Sequence, residues 1–400
     1  ARHEALRLRV TTTVAGVWSV QPIPAASFDA AAVLTVHRAD DPTEETFTRI
    51  AADTLARLDP TAGGTIAAAA VFGDNGYGGD NGYGRDNGYG RLVLVIHHLA
   101  VDAVSWRILL DDLAEAATAI AAGNPPVLLP PAVSYSRYTD TIAELANAQP
   151  TMAELPRWRG LLAGSAPVTD APVLGTQADL VTEVITLDAE RTRAYLSAES
   201  VTAAVIADTG AAITAWRTDA GQAAGPVLID IEGHGRDLGD LDLSRTVGWL
   251  TTVAPVLFDP DISDAATTIA TDLEQHAHSY GLLRYCNART ARVLARAPKA
   301  QVLVNYLGTM VLGGQTDWQP APEAAWTRTR PAGDLGADYA ITVDARVERG
   351  ALDEGRLIIE VTCSARVFTR EEIGALVRSV EQAVRGRADD AGAGRLTDTQ

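Results

Sequence analysis

The chain has 400 residues, 47% of them hydrophobic, and a formal net charge of −18. This length predicts two or three domain-sized units, or one large two-lobed unit. The strong negative charge argues against a nucleic-acid partner, because the chain supplies no positive field to neutralise phosphates. No stretch approaches the roughly 20 apolar residues of a membrane span, so we expect a cytoplasmic protein without a membrane partner. Cys286 and Cys363 lack metal-ligand spacing and are expected to be free, buried thiols.

A hexapeptide occurs three times in succession over residues 74–91, as "DNGYGG DNGYGR DNGYGR". Asn-Gly favours a tight turn, and nothing in the repeat can build a core. The repeats therefore predict a flexible loop before a strand over residues 92–96. The alternative interpretation is a binding loop of stacked tyrosines.

The segment "HHLAVDAVSW" (97–106) follows that strand and predicts a loop that opens a helix. Asp102 stands where a helix N-cap belongs, and Gly123 marks the helix end. Apolar residues recur at helical spacing between these two points, at Val104, Ile108, Leu109, Leu113 and Ile120. The His-His pair is thus expected on a loop at the C-terminal end of a buried strand.

Further along, strands and helices alternate. The segment 161–175 resembles a linker between two lobes, and Asp188 is expected to cap a helix. Thr369 and Glu372 form a capping box for a last helix. A buried strand is predicted over 227–232, and further strands over 301–306, 340–347 and 357–363. This mixture predicts an α/β or α+β fold with a mixed sheet.

The histidine pair has two interpretations. Each ring could be a satisfied polar group that closes the end of the sheet, or one of them could do chemistry. Successive strand residues point to opposite faces, so only one histidine can face a given cavity. Asp102, one helical turn past His98, could hold the local geometry as a cap or by pairing an arginine. No third ligand with suitable spacing indicates a metal site.

A second polar cluster, "EGHGR", ends the predicted strand at 227–232. Glu232 at the end of an apolar strand is costly unless it meets a partner or has a role. The glycines on both sides of His234 permit a sharp bend. By itself such a segment is more often a plain strand exit than a functional site. With the histidine pair, it suggests general acid–base work by one imidazole and one carboxylate.

Five ordered motifs resemble those of the epimerization branch of the condensation-domain superfamily of nonribosomal peptide synthetases. "HHLAVDAVSWRILLDDL" resembles the His-His-x-x-x-Asp signature with the continuation of that branch, whereas peptide-bond-forming members usually have glycine at the position of Ala103 and lack Trp106. "IEGHGRDL" resembles Glu-Gly-His-Gly-Arg-Glu, with Asp237 in place of the last glutamate. The remaining motifs are "SRTVGWLTTVAPVLF", "SYGLLRY" and "VNYLG", and "RHEALRLRV" resembles a segment near the superfamily's start.

The resemblance covers nearly the whole chain and implies its architecture. It implies an α/β (α+β) fold of two chloramphenicol-acetyltransferase-like lobes arranged as a V, with mixed sheets flanked by helices. Residues 1–165 would form the N-terminal lobe with the His-His motif, and 176–400 the C-terminal lobe with EGHGR and NYLG. The superfamily's first motif does not occur, so we expect a piece of a longer polypeptide with an incomplete N-terminal lobe.

The implied function is epimerization, an isomerase reaction of nonribosomal peptide synthesis in antibiotic and secondary metabolism. A peptidyl carrier protein would deliver an L-aminoacyl or peptidyl thioester on its phosphopantetheine arm into a tunnel between the lobes, and an L/D mixture would result. The α-proton of a thioester is acidic enough for a positioned side-chain base. We therefore expect no intrinsic cofactor and no metal, and we expect neighbouring synthetase domains as partners.

The resemblance also assigns roles to residues. His98 and Glu232 would be the catalytic acid–base pair, with His97 packed and His234 supporting. Asp102 and Arg236 would be structural supports. Asn305 and Tyr306 would line the site near the enolate, and Trp106 would anchor its helix.

Two alternatives remain open from the sequence. A condensation domain would join two carrier-bound substrates, although Ala103 and the EGHGR segment argue against it. A degenerate scaffold would only dock a carrier protein. The sequence allows this alternative because motif residues can persist after the catalytic site is lost.

Overall fold

The computed structural model describes residues 2–14, 16–39, 43–73, 89–223, 225–312, 318, 321, 323–324, 334–350 and 355–397. The predicted hexapeptide loop lies outside these residues up to position 88. Its last three residues, 89–91, belong instead to the strand that follows.

Within the described residues the strands are β1 (Leu8–Thr12), β2 (Trp18–Pro22), β3 (Leu34–Arg38), β4 (Ile66–Gly73), β5 (Tyr89–Ile96), β6 (Leu180–Thr186), β7 (Val227–Gly233), β8 (Thr252–Phe258), β9 (Val302–Leu312), β10 (Ile341–Gly350) and β11 (Arg356–Ser364). The α-helices are α1 (Glu44–Leu55), α2 (Ala103–Ala121), α3 (Tyr135–Leu145), α4 (Gln149–Ala153), α5 (Leu155–Ala163), α6 (Ala189–Tyr195), α7 (Val201–Asp219), α8 (Ala265–Gly281), α9 (Ala288–Leu294) and α10 (Arg370–Thr397). A π-helical turn, Leu282–Cys286, follows α8.

In the described part of the chain, the strands form three sheets. The largest has the order β6-β11-β10-β9-β7-β8, in which β9 pairs in parallel with both β10 and β7 and the other pairs are antiparallel. A second sheet, β3-β4-β5, combines a parallel and an antiparallel pair. An antiparallel pair, β1-β2, forms the third. The mixed pairing confirms the predicted α/β class with mixed sheets.

The helix boundaries follow from local capping chemistry. The Asp102 carboxylate accepts a hydrogen bond from the Ser105 amide at 2.8 Å and so caps α2. The Asp188 carboxylate caps α6 in the same way. Thr369 and Glu372 exchange the reciprocal hydrogen bonds of a capping box at the start of α10. These three predictions are confirmed.

The chain divides into two compact units. Unit 1 comprises Ala1–Thr141, His234–Thr251 and Gln315–Thr329, and unit 2 comprises Ile142–Gly233, Thr252–Gly314 and Arg330–Gln400. This division differs from the expected boundary at 165–176. One reason is that Trp158 and Leu162 of α5 pack into a buried cluster with Leu228 of β7, inside unit 2.

The principal core of unit 2 lies between the six-stranded sheet and helices α6, α7 and α10. The predicted apolar face of α10 lies against this core, with Ile373, Leu376, Val380 and Val384 buried and Val377 partly buried. In unit 1, the start of the chain packs with α2 around Leu8, Ile108 and Leu109. Both cysteines are free, but Cys286 is exposed, so its expected burial is wrong: it ends a π-helical turn instead of facing a core.

Candidate active site

His97 and His98 leave β5 in different environments. His97 is half-buried, and its Nδ1 atom accepts a hydrogen bond from the Leu99 amide at 3.2 Å. Burial, and then the neighbouring His98, lower the pKa of His97. This ring is therefore held neutral at pH 7, in the tautomer that carries its proton on Nε2.

The His98 side chain is exposed and contacts an aromatic ring. The centroid of its imidazole lies 4.7 Å from that of Trp249, at an interplanar angle of 57°. No hydrogen bond joins the His98 ring to another side chain or backbone group within the described ranges. Its two nitrogens are thus free to exchange protons with a bound molecule.

Asp102, which is 4% exposed, lies at the centre of a buried network in unit 1. Its carboxylate accepts hydrogen bonds from Arg236 Nη1 at 2.8 Å and Nη2 at 3.0 Å, and from the Leu250 amide at 3.1 Å. Burial alone would raise the pKa of Asp102, but Arg236 and the Ser105 donors outweigh it and hold that pKa below its usual value. Asp102 therefore does both things that the sequence allowed, capping a helix and pairing an arginine.

The same network fixes the segment 246–250. Arg236 Nη2 donates to the Thr246 carbonyl at 3.0 Å. The Ser105 hydroxyl donates to the Gly248 carbonyl at 3.0 Å and accepts from the Gly248 amide at 3.1 Å. Gly248 also packs tightly on Tyr135, since a Cβ atom at this position would lie 2.4 Å from the ring. Hydrogen bonds and close packing thus hold this segment against the start of α2.

Two further residues that the sequence predicted for the site, Trp106 and His234, lie near this network. Trp106 is partly buried and packs on the core around Leu8 and Leu109, which is consistent with an anchor for α2. His234 is exposed, and its Nδ1 atom accepts from the Arg236 amide at 3.1 Å. That contact tightens the turn that brings the Arg236 side chain to Asp102.

In unit 2, Glu232 is an exposed residue near the end of β7. Asp230 precedes it by two residues and therefore shares its face of the sheet, while Ile229 and Ile231 point into the core on the other face. The Tyr339 hydroxyl donates to the Asp230 carboxylate at 2.9 Å. Burial raises the pKa of Asp230 to about 6, although the Tyr339 hydrogen bond acts in the opposite direction.

The structure places Asn305 on this polar face but Tyr306 on the other. Asp230 pairs with Leu303 of β9, so Asn305, two residues further on, lies on the face of Asp230 and Glu232. The Asn305 side-chain amide donates to Asp344 at 2.9 Å. Tyr306 packs against the principal core instead, because adjacent strand residues point to opposite faces. The two neighbouring side chains therefore lie on opposite faces of β9.

Trp249 and Asp230 were not among the residues predicted from the sequence to form the site. Trp249 stands within the motif "SRTVGWLTTVAPVLF", and its only signal was an aromatic residue directly after a glycine. The signal for Asp230 was an acidic residue inside the apolar run "VLIDI".

The described residues hold no group of three His, Cys, Asp or Glu side chains that could bind a metal ion. Across the same ranges, none of the helices combines the length and the apolar character that a bilayer span requires.

Solved structures share this fold. The epimerization domain from the third module of tyrocidine synthetase B superposes with a TM-score of 0.77 at 21% identity, covering 98% of this chain and 87% of that one. The first condensation domain of the calcium-dependent antibiotic synthetase gives a TM-score of 0.64 at 17% identity, with 98% and 86% covered.

Curated sequences are similar over most of the chain. Chondramide synthase cmdD of Chondromyces crocatus is 30% identical over 375 residues, which are 88% of this chain and 9% of that protein. Bacitracin synthase 3 of Bacillus licheniformis is 28% identical over 322 residues, which are 74% of this chain and 5% of that protein. The chain thus spans less than a tenth of these relatives' length. The condensation domain family model matches residues 81–392, and because that match covers well over half of the sequence, the chain belongs to the condensation domain family.

Proposed function

We propose that the chain is an epimerization domain of a nonribosomal peptide synthetase, which inverts the Cα of an aminoacyl or peptidyl thioester held by a carrier protein. The observation that carries this proposal is the buried ion pair between Asp102 and Arg236. It joins the His-His-x-x-x-Asp segment to the EGHGR segment in one network. The EGHGR segment resembles a motif of the epimerization branch. Because the ion pair joins it to the segment that carries the histidines, the ion pair supports an epimerization domain over a peptide-bond-forming domain.

The chemistry requires two groups that can take up and return a proton. The exposed His98 ring, with no hydrogen bond to the described residues, is suited to one of these roles. The carboxylate of Glu232, also exposed at the end of β7, is suited to the other. Each would serve one enantiomer, and the two would exchange acid and base roles with the direction of the reaction.

The remaining residues would prepare the site. The neutral His97 ring accepts from the backbone and so fixes the turn from which His98 projects. Asp102 and Arg236 are already paired with each other, and they would not transfer protons. No intrinsic cofactor is part of this proposal, because a thioester α-proton is acidic enough for such bases.

A peptidyl carrier protein with its phosphopantetheine arm would be the partner, together with neighbouring synthetase domains. The relatives described as synthases and synthetases support this assignment, as does the similarity to the tyrocidine synthetase epimerization domain.

The test is to incubate the 400-residue chain with a carrier protein loaded with an L-aminoacyl thioester, hydrolyse the thioester and separate the enantiomers. The proposal expects D-amino acid to accumulate with the parent chain and none with a His98→Ala, Glu232→Gln double variant. A parallel reaction with donor-loaded and acceptor-loaded carriers tests for amide formation. A new amide without D-amino acid would identify a condensation domain. The absence of both products would support a docking scaffold. Either result would contradict the proposal.

A further inference from the structure

Trp249 is an exposed tryptophan whose neighbours on both sides are held by hydrogen bonds. Its side chain is 46% exposed. The residue before it, Gly248, hydrogen-bonds through its amide and carbonyl to the Ser105 hydroxyl. The residue after it donates its amide to the Asp102 carboxylate at 3.1 Å. Hydrogen bonds to the first turn of α2 therefore hold the backbone on both sides of an aromatic side chain that remains open to solvent.

The indole of Trp249 lies against the imidazole ring of His98. The ring centroids are 4.7 Å apart, and the described residues offer the His98 ring no hydrogen bond. His97 is fixed differently, by the hydrogen bond from the Leu99 amide. Among the ring contacts and hydrogen bonds of the described residues, the contact with Trp249 is thus the one that involves the His98 ring.

We propose that Trp249 is the positioning residue of His98: its indole holds the imidazole in one orientation. The inference rests on the proposed function and adds to it the residue that prepares one of the two bases.

The arrangement also explains the role of the Asp102 network. Asp102 caps the helix that follows His98 and accepts the Leu250 amide beside Trp249. One carboxylate therefore contributes to the relative position of the two rings, although they lie 151 positions apart in sequence, at 98 and 249. Orientation of a catalytic group matters because small misplacements cost rate steeply.

The test compares Trp249→Leu, which keeps an apolar side chain, with Trp249→Phe, which keeps a ring. Trp18→Leu is the matched control, because Trp18 is an exposed tryptophan of unit 1, on β2, outside the site. The first readout is independent of activity: the proton NMR signals of the His98 ring, assigned with His98→Ala. We expect Trp249→Leu to abolish their ring-current displacement and Trp18→Leu to leave it intact.

The second readout is exchange of the substrate α-proton in heavy water, measured separately for the L- and D-thioesters. For the enantiomer whose exchange is lost in His98→Ala, we expect Trp249→Leu to lower the rate about tenfold or more and Trp249→Phe to retain most of it. Exchange of the other enantiomer should stay at the parent rate, which a merely structural loss would not allow.

Unchanged His98 signals in Trp249→Leu, or equal loss for both enantiomers, would overturn the inference. If the parent chain exchanges neither enantiomer, the proposed function fails and the assignment of Trp249 to a proton-transfer step fails with it. The NMR comparison still decides whether Trp249 orients His98.

Discussion

Asp102 and Arg236 form a bidentate ion pair, at 2.8 and 3.0 Å, across 134 positions of sequence. The side chains of both are almost fully buried, at 3% and 8% exposure. Removing one partner of such a pair leaves a buried charge without compensation. The pair is therefore the part of the site whose loss should be most visible in stability.

Asp102→Asn should lower the free energy of unfolding by about 3–5 kcal/mol. The pKa of Asp102 is held below its usual value, so this stabilisation is present above pH 4 and is lost as the pH falls through the folded-state pKa. Urea denaturation at pH 7 measures the effect. The control is Asp53→Asn, which breaks an exposed helical pair with Arg49 and should cost at most about 0.5 kcal/mol. Equal effects of the two substitutions would contradict the account.

Gly248→Ala should be strongly destabilising, because the new methyl group would meet the Tyr135 ring at 2.4 Å. Overpacking of this kind costs about 1–3 kcal/mol. Gly386→Ala is the matched control, since nothing lies within 4 Å of its Cβ position in α10, and there alanine should stabilise by about 0.5–1 kcal/mol through helix propensity. Thermal melts compare the two variants. A Gly248→Ala variant with unchanged stability would show that the segment 246–250 can move to make room for the methyl group.

Asp230→Asn should stabilise the protein at pH 8 and have little effect at pH 3.5. Burial raises the pKa of Asp230 to about 6, so folding favours the protonated carboxyl and is penalised as the pH rises from about 4 to 6. Asparagine avoids this cost and still accepts the Tyr339 hydroxyl, which predicts a gain of about 1–3 kcal/mol at pH 8. Denaturation at both pH values measures it. A gain that is the same at both would show that the charge of Asp230 is not the cause.

His97→Ala and His98→Ala should separate stability from chemistry. The first substitution removes the acceptor of the Leu99 amide and should lower the melting temperature while epimerization persists. The second removes an exposed ring and should abolish epimerization with little change in melting. Chiral analysis beside thermal melts tests both, and an active, well-folded His98→Ala variant would show that another group is the base.

Local chemistry made much of the fold predictable. Asp102 and Asp188 end short polar segments before apolar helical patterns, so their capping could be inferred from neighbours within three residues. The strand predicted over 227–232 corresponds to β7, Val227–Gly233, because an apolar run bounded by glycine leaves little choice.

Contacts between residues far apart in the sequence were harder to predict. Nothing in the local sequence specifies that Asp102 pairs with Arg236 or that Trp249 lies on His98, since both contacts depend on the segment 234–251 lying within unit 1. The environment of Asp230 depends likewise on Tyr339, 109 positions away. The side to which Tyr306 points follows from the register of β9, which the motif alone does not define.

The central claim is that His98 and Glu232 each carry the proton of one enantiomer. The most direct test is α-proton exchange in heavy water with L- and D-thioesters on the carrier protein, using His98→Ala and Glu232→Gln. Glutamine keeps the shape of glutamate but cannot take a proton. General acid–base catalysis contributes about 10²–10⁴-fold, so exchange by the remaining base should stand above background. The account predicts complementary loss, with one variant exchanging only L and the other only D. Exchange of the same enantiomer by both variants, or inversion at the parent rate by Glu232→Gln, would contradict it.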